Sequence, residues 1–208
     1  MDLFSQSEEK LERKFEIFSV KDGEILFMKN FLNLIEANEY FKVLQTSIHW
    51  RQEEIKYYGK IYPVPRKTAW YGYEGFDYSY SGINCNPEPW TTELLFLKNE
   101  IEKFLPEENF NSVLLNMYRN GNDKVSWHSD DEKELGLNPS IASLSLGETR
   151  RFDLKHKDNP ELQYKFELTP GSLIIMKGAL QHNWLHQIPI QKRVTQTRIN
   201  LTFRTIKI

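Results

Sequence analysis

After Pro106 the sequence becomes one short extended segment after another, and that succession restricts the fold more than any other feature. Alternating or unbroken apolar runs cover residues 112–118, 141–146, 151–155, 163–168, 172–176 and 194–206, separated by turn residues such as Thr169-Pro170-Gly171. Alternation of period two selects strands over helices. Strands this short bury a face only by pairing into an antiparallel sandwich or barrel. Upstream, Phe31, Leu34, Ile35, Phe41, Leu44 and Ile48 recur at roughly helical spacing. Leu94, Leu97, Ile101 and Phe104 do the same between Thr91 and Pro106. The expected fold is mainly β (α+β), a double-stranded β-helix (jelly roll) braced by helices. With 208 residues, 39% of them hydrophobic, the chain has core material for one domain. Within it we expect an N-terminal extension over residues 1–30, a Tyr-, Gly- and Pro-rich surface segment over 50–85, and a core over 110–208.

The charge balance narrows the partners. With 27 basic against 29 acidic residues, nothing global advertises a polyanion, so any nucleic-acid contact has to be local. Basic pairs occur at Arg66-Lys67, Arg150-Arg151, Lys155-His156-Lys157 and Lys192-Arg193. One cysteine, Cys85, excludes an internal disulfide framework and a cysteine-rich zinc site, so a metal would rest on His and carboxylate. No apolar run is long enough for a signal peptide or a membrane span. The expectation is a soluble intracellular monomer, in the cytoplasm or, in a eukaryote, the nucleus.

Candidate chemistry collects at three places. In Trp127-His128-Ser129-Asp130 an imidazole and a carboxylate stand two apart, on one side of an extended backbone. Either His182 or His186 could complete a set of two His and one carboxylate. Non-haem Fe(II) uses that arrangement to keep positions open for co-substrate and dioxygen. In residues 198–204 the alternation puts Arg198, Asn200, Thr202 and Arg204 on one face and Ile199, Leu201 and Phe203 on the other. Two guanidinium forks suit a small dicarboxylate, although the same pattern also describes a solvent-facing strand. Asn116 and Tyr118 share a face with Leu114 and offer an amide and a phenol, or a structural pair.

Taken together the motifs resemble the AlkB family of Fe(II)- and 2-oxoglutarate-dependent nucleic-acid dealkylases, nearest the branch acting on duplex DNA. The resemblance runs through P-R-K-T-A-W-Y-G at 65–72, Y-S-Y-S-G at 78–82, N-M-Y-R-N-G at 116–121 and W-H-S-D-D-E at 127–132. It continues through P-G-S-L at 170–173, H-N-W-L-H at 182–186 and R-I-N-L-T-F-R at 198–204. It implies iron ligands His128, Asp130 and His186, with His182 a structural neighbour. It implies that Arg198 and Arg204 neutralise the carboxylates of 2-oxoglutarate while Asn116, Tyr118 and Asn200 hydrogen-bond it. The reaction implied consumes O2 and turns 2-oxoglutarate into succinate and CO2 as it hydroxylates an alkyl group on a base such as 1-methyladenine or 3-methylcytosine. The hydroxymethyl product then loses formaldehyde.

Such an enzyme flips its target from a duplex, and the resemblance makes residues 50–85 a nucleotide-recognition lid. Tyr78 and Tyr80 would contact the flipped base, and Asp131 and Glu132 would read its polar edge. Tyr58 would wedge into the gap, although such wedges are normally apolar. Arg66, Arg151, Lys155 and Lys157 would contact phosphates of alkylated DNA. The alternative is a dioxygenase of the same fold acting on RNA, on a protein or on a small molecule.

Overall fold

The computed structural model describes residues 13–57, 59–75, 78–80, 83–85 and 87–207, and only the backbone of 57, 78–80 and 83–85. In chain order the elements begin with β1 (Glu16–Val20), β2 (Gly23–Met28), α1 (Leu34–Ser47), β3 (Glu54–Tyr57), β4 (Lys60–Pro63) and β5 (Lys67–Gly72). Next come β6 (Tyr78–Tyr80), β7 (Ile83–Cys85), β8 (Glu88–Pro89), α2 (Thr92–Glu102), β9 (Ser112–Tyr118) and β10 (Val125–His128). The chain closes with β11 (Ile141–Gly147), β12 (Arg150–His156), β13 (Gln163–Leu168), β14 (Leu173–Lys177), α3 (Leu180–Asn183), β15 (Trp184–Ile188) and β16 (Arg198–Arg204). An eight-stranded sheet runs β1-β2-β14-β11-β16-β9-β5-β8, and a four-stranded sheet runs β10-β15-β12-β13. Two small hairpins, β3-β4 and β6-β7, stand apart from both. The helix-braced jelly roll is therefore present.

Helices α1 and α2 start where side chains can cap them. Asn33 accepts from the Glu36 backbone N–H at 2.9 Å while Glu36 accepts from the Asn33 N–H at 2.8 Å, a reciprocal capping box. Thr91 caps α2 through its hydroxyl. Ala37 and Leu44 of α1 and Leu94, Leu97 and Ile101 of α2 join Leu115, Ile199, Leu201 and Phe203 in one apolar cluster. Each such leucine, isoleucine or phenylalanine side chain contributes roughly 1.5–3 kcal/mol by leaving water. A second cluster, with Phe152, Leu154, Phe166, Ile174, Met176 and Trp184, fills the space between the sheets.

Strand β16 faces both clusters, and this positions the site. Its odd-numbered residues go to the helix-side core, so Arg198, Asn200, Thr202 and Arg204 project between the sheets. All seven residues are buried. The polar face of this strand is interior, and the solvent-facing reading of its arginines is excluded.

Two segments outside the expected core add strands to the large sheet. Residues 16–28, assigned to an extension, form the β1-β2 hairpin, and β2 pairs with β14 as part of the large sheet. The apolar run Ile25-Leu26-Phe27-Met28 gives that strand enough burial to join the core. Residues 67–72, assigned to the surface segment, are strand β5, paired with β9 over six positions. Their Ala-Trp-Tyr run is buried, whatever its neighbours' turn-like composition suggests. Among the described residues, no helix is long and apolar enough to cross a membrane.

Candidate metal centre and cavity

Strands β10 and β15 are antiparallel neighbours, and their register makes His128 and His186 direct partners after an irregularity between Val125 and His128. The imidazole centroids lie 4.2 Å apart. Two residues past His128 the chain leaves the strand and delivers Asp130, 2% exposed, against both rings. The Nε2 of His128 is 3.9 Å from Asp130 Oδ1, and the Nε2 of His186 is 3.9 Å from Oδ2. One ligand atom from each residue lies within 4.8 Å of the other two. His182, four positions before His186, points elsewhere: its Nε2 accepts from the Asn138 N–H at 3.3 Å.

The surroundings prepare these groups to hold a divalent cation. The Ser126 carbonyl lies 2.8 Å from His128 Nδ1, so that nitrogen carries the proton and Nε2 keeps its lone pair. Gln181, fully buried, accepts from the Asp130 N–H at 2.9 Å. Burial alone would raise the Asp130 carboxyl, but Arg204, donating at 2.8 Å to Oδ1, and the nearby imidazoles hold it below its ordinary value. Burial lowers His186 to about 3, helped by His128 and Arg204 and opposed by Asp130. At neutral pH His186 is thus neutral and Asp130 ionised, the forms a metal requires. The His186 ring has no acceptor for Nδ1 among the described residues and is held by packing against Phe152, 5.3 Å away. The donor set and protonation states fit Fe(II).

The cluster opens into a cavity also lined by Arg66, Asn116, Tyr118, Arg198, Asn200 and Arg204. Register explains the grouping, because Asn116 pairs with Asn200 and Tyr118 with Arg198 across β9 and β16. On the other side Ser145 stands beside Asn200 and Ser143 beside Thr202. Arg198 Nη2 donates to Ser145 Oγ at 2.8 Å and to Asn200 Oδ1 at 2.6 Å. Its guanidinium carbon lies 5.3 Å from the Tyr118 ring centroid. Burial lowers the Arg198 pKa to about 10, so it stays charged, and among the described residues its Nε and Nη1 are buried without an acceptor. Buried donors on a cation are costly unless an anion meets them.

The remaining expected residues divide. Arg66 does not stand on a phosphate-contacting rim: it is 6% exposed and donates from Nε to Asn116 Oδ1 at 2.7 Å. That expectation is corrected, because Arg66, just before β5, turns its side chain into the cavity beside Asn116 rather than out to solvent. Arg151 is paired with Asp153 at 2.8 Å, and Lys157 with Asp131 at 3.3 Å. Lys155 lies over the Trp127 ring, 4.4 Å from its centroid. Glu132 is half-buried, with Oε2 lacking a hydrogen-bond partner among the described residues. Tyr58 lies outside the described residues, as do the side chains of Tyr78 and Tyr80, whose backbone forms β6. Sequence reasoning missed Gln181, Ser143 and Ser145, whose roles come from strand register and one α3 turn that no local pattern announces.

Jelly rolls that combine a two-histidine, one-carboxylate cluster with a cationic cavity define a class of non-haem iron oxygenases. The family model of the 2OG-Fe(II) oxygenase superfamily matches residues 24–204. Alpha-ketoglutarate-dependent dioxygenase alkB homolog 3 of Bos taurus is 44% identical over 193 residues, 88% of this chain and 66% of the relative. DNA oxidative demethylase ALKBH2 of Bos taurus is 36% identical over 195 residues, 89% of this chain and 68% of the relative. The chain thus spans just under two thirds of the first relative's length. A solved structure of OsALKBH1 superposes with a TM-score of 0.61 at 16% identity, covering 90% of this chain and all of that one, and shows the shared fold. The chain belongs to the 2OG-Fe(II) oxygenase superfamily and, within it, to the AlkB family.

Proposed function

We propose that this protein removes alkyl groups oxidatively from base nitrogens in nucleic acid, DNA first, with His128, Asp130 and His186 holding Fe(II) and the neighbouring cavity holding 2-oxoglutarate. One observation carries the reading. The metal-competent cluster shares its cavity with Arg198, a fully buried cation whose Nε and Nη1 lack acceptors among the described residues. Family membership and the relatives' names support the same reading.

When bound, Fe(II) would activate O2 at the expense of 2-oxoglutarate, which would give up two electrons and leave as succinate and CO2, so that one oxygen atom of O2 enters an alkyl C–H bond and the other ends in succinate. The protein's part is position and charge. Arg204 is committed to Asp130, so it serves the carboxylate end nearest the metal. Arg198, at the other end of β16, takes the far carboxylate, and Asn116, Tyr118 and Asn200 orient the molecule between them. Together with Arg66 these side chains replace the hydration of a dianion by fixed donors. His128, its side chain 29% exposed, brings a flat ring to the cavity's edge, where a flipped base can lie against it. Tyr78 and Tyr80 serve as the base's further contacts, with Asp131 and Glu132 at its polar edge. Once hydroxylated on a methyl attached to a ring nitrogen, the product releases formaldehyde unaided.

The test supplies Fe(II), 2-oxoglutarate and ascorbate with matched single- and double-stranded DNA and RNA oligonucleotides bearing 1-methyladenine or 3-methylcytosine. Mass spectrometry should show loss of one methyl per succinate formed. Succinate formation with every methyl retained would reject the nucleic-acid substrate, and neither product would reject the whole reading.

A further inference from the structure

The basic segment Arg150–Lys157 carries more cations than its surface offers. Arg150 is fully buried, donating to the carbonyls of Asn120, Asp123 and Pro189. Arg151 is neutralised by Asp153 and Lys157 by Asp131. His156 is 1% exposed and meets Asp22. Lys155 remains. It has no carboxylate partner among the described residues, and its ammonium lies 4.4 Å from the centroid of Trp127.

This pair sits on the outer face of the four-stranded sheet. Phe152, Leu154 and His156 point into the sandwich, so Lys155, between them, points out. Trp127 belongs to neither apolar cluster and is half-buried on edge strand β10, next to His128. Leu185 of β15 lies between, opposite Lys155 in register. A large aromatic face and a lone cation thus stand one strand edge from the metal cluster, outside the cavity.

We propose that Trp127 and Lys155 form a binding site for one unstacked nucleotide beside the target base, with the indole taking the base and the ammonium its phosphate. The inference rests on the nucleic-acid reading above and deepens it, because it selects single strands. A base stacks on every aromatic face it can reach, whatever its identity, but bases inside a duplex have both faces occupied. On binding, the ammonium exchanges a cation–π contact, about 0.5–1 kcal/mol where exposed, for a phosphate. Sequence tolerance and a salt-dependent affinity follow.

The experiment measures anisotropy of a labelled 15-nucleotide strand carrying one 1-methyladenine, single-stranded and annealed, with protein, Fe(II) and 2-oxoglutarate under anaerobic conditions. Trp127→Ala should weaken single-strand binding roughly tenfold and duplex binding less than twofold, with Trp127→Phe restoring most of the loss. Lys155→Gln should lower the salt slope for the single strand by about 0.7. Unchanged single-strand affinity in Trp127→Ala, or equal loss on both substrates, overturns the site. A second readout needs no variant: 5-iodouracil placed beside the methylated base in the single strand should photocrosslink to Trp127 of the wild type. A crosslink only elsewhere overturns the site as well. Demethylation by the wild type without these effects would sink this inference alone, whereas its absence would sink the function proposed above.

Discussion

His186 carries the most perturbed imidazole of the site, and its neutrality has a cost that pH exposes. In the unfolded chain the group titrates near 6.5, and in the native protein burial lowers it to about 3. Between those values the unfolded state holds one more proton than the native, so native stability is complete above pH 6.5 and falls as pH drops toward 3. Asp130, also lowered in the native state, acts in the same direction in acid. Chelator-treated protein should show a melting temperature that declines steadily below pH 6.5, and His186→Gln should flatten that decline. A wild-type melting temperature constant from pH 7 to pH 4 would contradict the neutral buried imidazole. At this scale the metal pair was legible in the sequence, because His128 and Asp130 are two apart on an extended stretch. The choice of His186 over His182 was not, since it depends on a cross-strand register and came from the family resemblance.

Among the elements, β16 and β9 do most to place the cavity, and the loop after β9 locks them. Gly121 lies so close to the loop after β15 that a Cβ would fall 1.8 Å from the Gln191 carbonyl oxygen. The two loops exchange hydrogen bonds there, Gln191 donating to the Gly121 carbonyl and Gly121 to that of Val194, each at 2.8 Å. Arg150 ties the same loops from inside and lies 5.5 Å from the Tyr118 ring. Gly121→Ala should therefore destabilise by about 1–3 kcal/mol, and calorimetry checks this. The variant should also raise the KM for 2-oxoglutarate by displacing Tyr118. An unaltered melting temperature and KM would remove this loop from the site's support. Alternation made β16 readable as a strand, but which face is interior depends on helices packing behind it. The β5 strand was hidden because Tyr, Gly and Pro around it imitate a surface segment. Arg66 was misplaced with it.

At the scale of the whole molecule, a chain with net charge −2 concentrates buried guanidinium groups at one place. Arg66, Arg150, Arg198 and Arg204 are each 6% exposed or less, with Asp123, Asp130 and Asp153 the buried carboxylates nearby. The overall balance hid this, because composition averages a cationic interior with an acidic exterior such as the glutamates of α1 and α2. On the function proposed above, the fold turns a mildly acidic protein into a receptor for a small dianion beside a divalent metal. The most direct test is an anaerobic equilibrium titration of Fe(II), with 2-oxoglutarate present, into wild type and Asp130→Ala. Wild type should bind one Fe(II) per chain, and Asp130→Ala should bind it at least about a hundredfold more weakly, roughly 2.7 kcal/mol. Equal affinity in the two proteins would contradict the assignment of the iron to His128, Asp130 and His186.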